Sequence, residues 1–326
     1  MNSRTATTER VRPGVLLRQA PQRRSPPLRT RRQCSQLPHQ PGRRARTQPS
    51  LRSRSPHISR ARGSAQRRSL VTSWRFPPSS VAARNSRMSH LAEQLASLHA
   101  RVRAAEQRAS RPAGSVELLA VTKGVPAERI AEAIDAGQRA FGENRVQELE
   151  EKRAAVAQLR PGVEVRWDLI GPLQSNKLRR ALVAADRISS VDRVELLARI
   201  GEISRADASA RRILLQVNID EDAAKSGFTP DALRVALPEI AAIISGAPLT
   251  IEGLLTVGRL TSNPAEARST FSSFVAFSHS VREAASAQGL QIGPLISAGM
   301  SGDFELAIEE GATQVRLGST LFGARG

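Results

Sequence analysis

The chain has 326 residues and a formal net charge of +19, yet that charge is confined to one end. Residues 1–87 hold 21 Arg, no Lys and one acid, Glu9, while residues 88–326 hold 28 basic and 29 acidic side chains. The second region is close to neutral, which argues against a basic nucleic-acid-binding domain, and the single Cys34 excludes an internal disulfide framework or a Cys-rich metal site.

In chain order, residues 1–87 come first and contain ten of the 19 prolines, set among Ser, Gln and Arg without a sustained apolar period. Such a segment buries too little surface to offset chain entropy, so it is expected to be a disordered Arg/Pro/Ser-rich extension. A transit-type leader, a basic arm for an anionic partner and an upstream stretch included by too early a start all fit that composition. The last is favoured, because Met88 opens directly onto a well-patterned helix, Ser89–Ser110. Only Trp74 and Phe76 are aromatic in the extension, which leaves little for base stacking. Val15–Leu17 is too short for the apolar core of a secretory signal, and Ile240–Ile244 falls far short of the ~18 residues a membrane helix needs. A reducing, cytoplasmic setting is expected.

From Met88 onward, apolar β-type runs alternate with helical patterns. Strands are expected at Glu117–Thr122, Arg139–Phe141, Glu164–Ile170, Arg187–Val191, Ile213–Ile219, Leu249–Thr256, Gln291–Ile296 and Gln314–Leu317. Between them, helices are expected at Ala127–Ala136, Arg145–Leu159, Ser175–Ala184, Arg193–Arg205, Asp231–Ile244, Pro264–Gln288 and Phe304–Glu310. The alternation implies parallel strands, and eight of them in a domain of about 250 residues predict a single α/β domain, a (β/α)8 TIM barrel, over residues 88–326. A doubly wound open sheet is the competing architecture, weakened because no Gly-x-Gly-x-x-Gly follows the first strand.

Barrels place their chemistry at the carboxyl ends of their strands. Four Lys occur after residue 87. Lys152, behind Glu150 and Glu151 in a charged helix, reads as solvated; Lys177 lies early in a helix and Lys225 in a loop. Lys123 alone ends an apolar strand, in Leu118-Leu-Ala-Val-Thr-Lys123. Apolar walls there favour the neutral amine that an imine-forming lysine requires; a lysine snorkelling to solvent is the plain alternative.

At the other end of the chain, Ser297-Ala-Gly-Met-Ser-Gly-Asp303 follows the seventh strand and Gly318-Ser-Thr320 the eighth, the usual phosphate loops of a barrel. Gly299, Gly302 and Gly318 permit close backbone approach, Ser301 and Ser319 offer hydroxyls, and a helix start supplies N–H groups. An aldehyde-bearing cofactor with a phosphate tail satisfies both ends at once. Pyridoxal 5′-phosphate is such a molecule.

These residues also sit in seven ordered motifs: Ala120-Val-Thr-Lys123, Phe141-Gly-Glu-Asn-Arg-Val-Gln-Glu148, Trp167-x-x-Ile-Gly-x-Leu-Gln-x-Asn-Lys177, Leu215-Gln-Val-Asn218, Lys225-x-Gly-Phe228, Gly299-Met-Ser-x-Asp303 and Val315-Arg-x-Gly-x-x-x-Phe-Gly-Ala-Arg325. On them the chain from about Met88 onward closely resembles the YggS/PROSC-type pyridoxal-phosphate homeostasis proteins, which look like the barrel half of alanine racemase. The resemblance covers none of the first 87 residues. It implies a Schiff base on Lys123, with Asn144 near the cofactor ring. It implies phosphate contacts from Ser301 with the Met300–Gly302 backbone, and from Gly318 and Ser319. Arg316 would face the pyridine nitrogen; a salt bridge to Asp303 or Glu305 is its blander reading. One departure stands out. Asp168 occupies a position where that family usually has His, and Pro172 one where a polar or basic residue is common, which leaves the third strand's part near the cofactor in doubt. A buried Asp168 would need a partner such as Arg166 or Lys177.

Racemase chemistry of the resembling kind needs a base on each face of the substrate, the second being a tyrosine from another, β-rich domain. This sequence contains no Tyr, and only Leu321–Gly326 follow the eighth strand and its Gly318–Thr320 loop. The favoured expectation is therefore a non-enzymatic, monomeric carrier and buffer of pyridoxal phosphate, with apo-enzymes as recipients. A weak racemase or transaminase using an unidentified base is the alternative, for which His279, in a long helix, is a poor candidate.

Overall fold

Leu118–Ala120 and Ile213–Leu215 are buried without a break, and such uninterrupted apolar runs belong to strands covered on both faces. In the computed structural model, which describes residues 89–323 apart from Leu260, eight strands run parallel and close into a barrel in sequence order. They are β1 Glu117–Val121, β2 Ala140–Glu143, β3 Arg166–Leu169, β4 Arg187–Val191, β5 Arg211–Val217, β6 Leu249–Thr256, β7 Ile292–Ser297 and β8 Gln314–Leu317. The helices are α1 His90–Arg108, α2 Ala127–Asp135, α3 Val146–Leu159, α4 Leu178–Ala184, α5 Val194–Ala206, α6 Pro230–Ile244, α7 Pro264–Ser286, α8 Phe304–Glu309 and α9 Ser319–Phe322. The expectation of a disordered extension falls on residues outside the described ones.

Every expected strand and helix is present, several with ends moved by one or two residues, as in β5, which is Arg211–Val217 where Ile213–Ile219 was expected; three further differences stand out. β2 runs on to Glu143, which the sequence presents as the start of a loop. Ser175–Lys177 is a 3-10 turn leading into α4. The helix α9 was not anticipated, because four residues carry no periodicity to read.

Pairing of Glu117 with Gln314 and of Leu119 with Arg316 closes the barrel. The Glu117 carboxylate accepts from Arg166 at 2.8 Å and from Gln314 at 2.6 Å. Since β3 and β1 are not neighbours in the sheet, that contact crosses the lumen, and Glu117 faces inward. Side chains alternate along a strand, so Leu119 and Val121 continue the lumen-facing row to the carboxyl end of β1, and Lys123 follows two residues later in the turn.

At its amino end the lumen is ionic. Asp168 is fully buried and accepts from Arg166 Nε at 3.0 Å and from both Nε and Nη2 of Arg187; Arg187 also donates to Glu252 at 2.9 Å. Arg166 is thus the partner that Asp168 requires, while Lys177 is exposed and takes no part. Arg187, from the neighbouring strand, was not foreseen. The doubt about the third strand resolves accordingly: Asp168 is committed to the amino-end ion layer, and Pro172 is exposed.

Helix α1 belongs to no β/α repeat. Ser89 caps it by accepting from Ala92 N–H at 3.2 Å. Leu91, Leu95, Leu98, Val102 and Ala105 form its buried stripe, and a fully buried Leu or Val contributes about 2 kcal/mol. Arg101 pairs with Glu305, Arg108 Nε with Glu309 at 2.6 Å, and Arg111 donates to the carbonyls of Ile308 and Ala312. Helix α1 therefore braces α8, the helix behind the loop that leaves β7.

Candidate functional site

Beyond β1 the chain makes a turn, Thr122–Val125, closed by Val125 N–H to Thr122 C=O at 2.8 Å. Gly124 has φ +71°, the conformation the third position of a type II turn demands. Lys123 occupies the second position, half-buried, just beyond the carboxyl end of β1.

The turn rests on a cluster of charges that sequence reading missed. Lys152 is not solvated: its side chain is 12% exposed and its Nζ donates to Glu143 at 2.5 Å, to Glu148 at 3.2 Å and to the Thr122 carbonyl at 2.7 Å. Glu143 is fully buried and also accepts from Thr122 Oγ1 at 2.6 Å. Glu148 accepts from Gly124 N–H at 3.3 Å. Asn144, half-buried at the end of β2, donates its backbone N–H to Glu143 at 3.2 Å. The spacing of Glu143 and Lys152 is the only sequence signal: nine residues separate a strand end from the helix that packs behind it.

On the other side of β1 from β2, the loops after β7 and β8 are tied together. Ser301 Oγ lies 3.2 Å from Thr320 Oγ1 and accepts from Thr320 N–H at 3.5 Å. Thr320 is a second residue that sequence reading did not single out. Gly299, at φ +86°, turns the chain where a Cβ would stand 2.6 Å from Ala307 Cβ, so α8 packing demands glycine there. Met300 is exposed, and its N–H is bound by Asp303 at 2.7 Å, which removes it from the available donors. None of the hydrogen bonds among the described residues uses the N–H of Ser301, Gly302 or Ser319; Ser319 begins α9, where a first-turn N–H has no intrahelical partner. Gly302 and Ser319 are exposed. A Cβ on Gly318 would lie 3.2 Å from Val121 C=O, which places this loop against the end of β1 and so beside Lys123.

Arg316 lies one layer deeper. Its guanidinium is buried, with Nη1 donating to Ser297 Oγ at 2.9 Å and Nη2 to Thr256 C=O at 2.7 Å. Both acceptors end their strands, so the group points toward the carboxyl end. Among the described residues no carboxylate pairs with it. The expected alternative, a salt bridge to Asp303 or Glu305, is not formed, because Asp303 accepts from Met300 and Glu305 pairs with Arg101. Desolvation pushes the Arg316 pKa down to about 10, so the group remains a cation at neutral pH.

Other candidates lie apart. Lys225 donates to Asp220 at 3.3 Å and to Gly258 C=O at 3.2 Å in the loop after β5. His279 is exposed and borders a cavity with Gln291 and Ile292, at the amino end of β7. A cavity of about 680 Å³ lined by Arg139, Arg153, Arg166 and Arg212 opens at the amino ends of β1–β3. Barrels use that end for stability, and Glu117, Asp186 and Glu252 already pair three of those arginines.

The carboxyl-end arrangement is a lysine beside two loops with free amides, above a buried cation that no carboxylate pairs directly among the described residues. Residues 94–326 match the family model described as alanine racemase, N-terminal domain. The chain is similar to the pyridoxal phosphate homeostasis protein of Vibrio alginolyticus, 37% identical over 239 residues, 73% of this chain and 99% of that one. The protein of that name from Pseudomonas aeruginosa is 39% identical over 239 residues, covering 73% and 97%. Among solved structures, PipY of Synechococcus elongatus with PLP bound is 37% identical, with TM-score 0.62 over 72% of this chain and 100% of that one. D-threo-3-hydroxyaspartate dehydratase from a Delftia species, 21% identical with TM-score 0.53 over 70% and 59%, shares the fold.

Proposed function

The chain belongs to the family of pyridoxal phosphate homeostasis proteins, built on the alanine racemase N-terminal domain, and on that premise we propose that it binds pyridoxal 5′-phosphate covalently on Lys123 as a non-enzymatic carrier and buffer. The observation that carries this reading is the buried Arg316 guanidinium, hydrogen-bonded to neutral acceptors alone, with the Asp303 charge acting on it only from beyond ion-pair distance, and directed at the mouth that Lys123 borders. A buried cation without a directly paired anion is costly, and a site that retains one is built for something it meets there. The cofactor would supply an aldehyde, which condenses with a primary amine to a Schiff base with loss of one water.

The roles follow from position. Lys123 offers the amine. Ser301, Gly302 and Ser319 offer N–H groups and hydroxyls to the phosphate, with Gly318 giving it room. Met300 shapes that loop through its bond to Asp303. Asn144 borders the ring. Arg316 keeps its proton, so it can only donate to the pyridine nitrogen, and the ring then withdraws electrons poorly. That weakness and the lack of any Tyr in the chain favour carriage over racemisation. No described helix is long and apolar enough to cross a membrane, and we place the protein in the cytoplasm, with apo-enzymes as recipients.

The test begins with an absorption spectrum of purified protein, with and without Lys123→Ala. A band near roughly 420 nm, bleached by borohydride and absent from the variant, is expected. Peptide mapping that finds the trapped adduct elsewhere overturns the reading of Lys123. Holo-protein mixed with an apo-enzyme should restore its activity faster than spontaneous release allows. Deuterium incorporation at the α-carbon of an amino acid, abolished by Lys123→Ala, would instead identify a racemase or transaminase.

A further inference from the structure

We propose that Lys152 is a positioning residue for Lys123, acting through an ion-pair latch on the turn that carries it. The proposal rests on the covalent reading of Lys123 given above. Lys123 makes no protein hydrogen bond among the described residues, yet both of its chain neighbours are held by one cluster. The Thr122 carbonyl takes Lys152 Nζ at 2.7 Å in addition to the Val125 N–H at 2.8 Å. The Thr122 hydroxyl donates to Glu143 at 2.6 Å, and Gly124 N–H donates to Glu148 at 3.3 Å. Lys152 closes the cluster by bridging Glu143 and Glu148.

A purely structural ion pair gains little in such a place. Glu143 is fully buried and Lys152 nearly so, and desolvating both groups cancels most of their attraction. What the low-dielectric setting adds is stiffness and direction. Here those are spent on the residues before and after Lys123, and on the backbone of Asn144 through Glu143. Lys152 touches neither the lumen-facing row nor the loops after β7 and β8; it acts through Thr122 and Gly124. With the turn fixed at both shoulders, the Lys123 side chain leaves the backbone in one direction. A displacement on the order of 1 Å in a reacting group costs about 100-fold in rate.

The experiment compares the full chain with Lys152→Met, Lys152→Arg and Glu148→Gln. It reads the rate of hydride-trapped adduct formation on Lys123 after pyridoxal phosphate is added, the amide exchange of Gly124 and Val125 without it, and the melting curve. Lys152→Met is expected to melt cooperatively, to exchange both amides faster, and to form the adduct about 10- to 100-fold more slowly. Lys152→Arg, which keeps the charge, should recover part of the rate. Wild-type rate and exchange in Lys152→Met overturn the latch. If Lys152→Met does not fold, Glu148→Gln decides, since it weakens the Gly124 shoulder and one of the two carboxylate contacts of Lys152 while leaving Glu143 in place: unchanged exchange at Gly124 and an unchanged adduct rate then overturn it. If the wild-type protein forms no adduct at all, the covalent reading falls, and the amide exchange still tells whether Lys152 holds the turn.

Discussion

Arg316 faces Leu119 across the seam between β8 and β1, and Lys123 lies four residues beyond Leu119, in the turn that follows β1. At about 3.3 Å per residue the two backbones are separated by at most roughly 13 Å along the chain direction, and by less along the axis of a barrel with tilted strands. The Arg316 pKa is lowered to about 10 by desolvation, so its charged form is less stable folded than unfolded. That penalty is fully present below about pH 10 and is relieved as pH rises through that value toward the ordinary arginine range.

The cofactor-free Arg316→Gln variant should therefore be at least as stable as the wild type, with a rise of about 2–4 °C in Tm per kcal/mol gained. Its affinity for pyridoxal phosphate should fall by about tenfold or more, the cost of one charge-assisted hydrogen bond. Thermal melts and a spectroscopic titration check both. Lost stability with unchanged affinity would make Arg316 a structural residue only.

Asp168 predicts the opposite balance. Replacing it with Asn leaves Arg166 and Arg187 facing a neutral group in a buried layer, and breaking a buried pair costs about 3–5 kcal/mol. Urea unfolding should show that loss. Because the carboxylate serves the amino end of the lumen, the fraction of folded molecules that load pyridoxal phosphate should not change.

Glu117 sets an acid limit. Burial would raise its pKa, but hydrogen bonds from Arg166 and Gln314 and the charges of Arg166 and Arg187 outweigh burial and hold it below the ordinary 4.5. Its contribution to stability is complete above pH 4.5 and is lost as pH falls through the lower folded value. Denaturation series between about pH 3 and 5 should thus fall steeply for the wild type. They should be flatter for Glu117→Gln, which is also less stable at neutral pH.

What could be read beforehand follows a physical divide. Apolar periodicity reports burial, so Leu118–Ala120, Ile213–Leu215 and the α1 stripe were visible, and the strand-end position of Lys123 followed from them. Arg316 and Asn144 were legible only through resemblance, because one polar residue in a strand or loop gives no pattern. Lys152 was misread for a related reason. Its neighbours Glu148, Glu150 and Glu151 give the helix a solvated look, and only packing reveals that Glu143 turns inward to meet it. Arg187 and Thr320 were missed likewise: their partners come from other strands and loops, and no local signal encodes a contact made across the barrel.

Thr320 offers the most selective prediction. It joins the loop after β8 to Ser301, and removing its hydroxyl leaves the side-chain shape nearly intact in Thr320→Val. If that tie holds two sets of N–H groups in register for a phosphate, its loss should weaken pyridoxal phosphate binding by about 0.5–1.5 kcal/mol, the net worth of one hydrogen bond, or roughly 2- to 12-fold. Pyridoxal, which lacks the phosphate, should bind both proteins alike, since its contacts would be confined to Lys123, Asn144 and Arg316. Parallel titrations with the two aldehydes separate these contributions. An equal loss for both would mean that the tie shapes the mouth as a whole, and the phosphate would then have to be held elsewhere than between the last two loops.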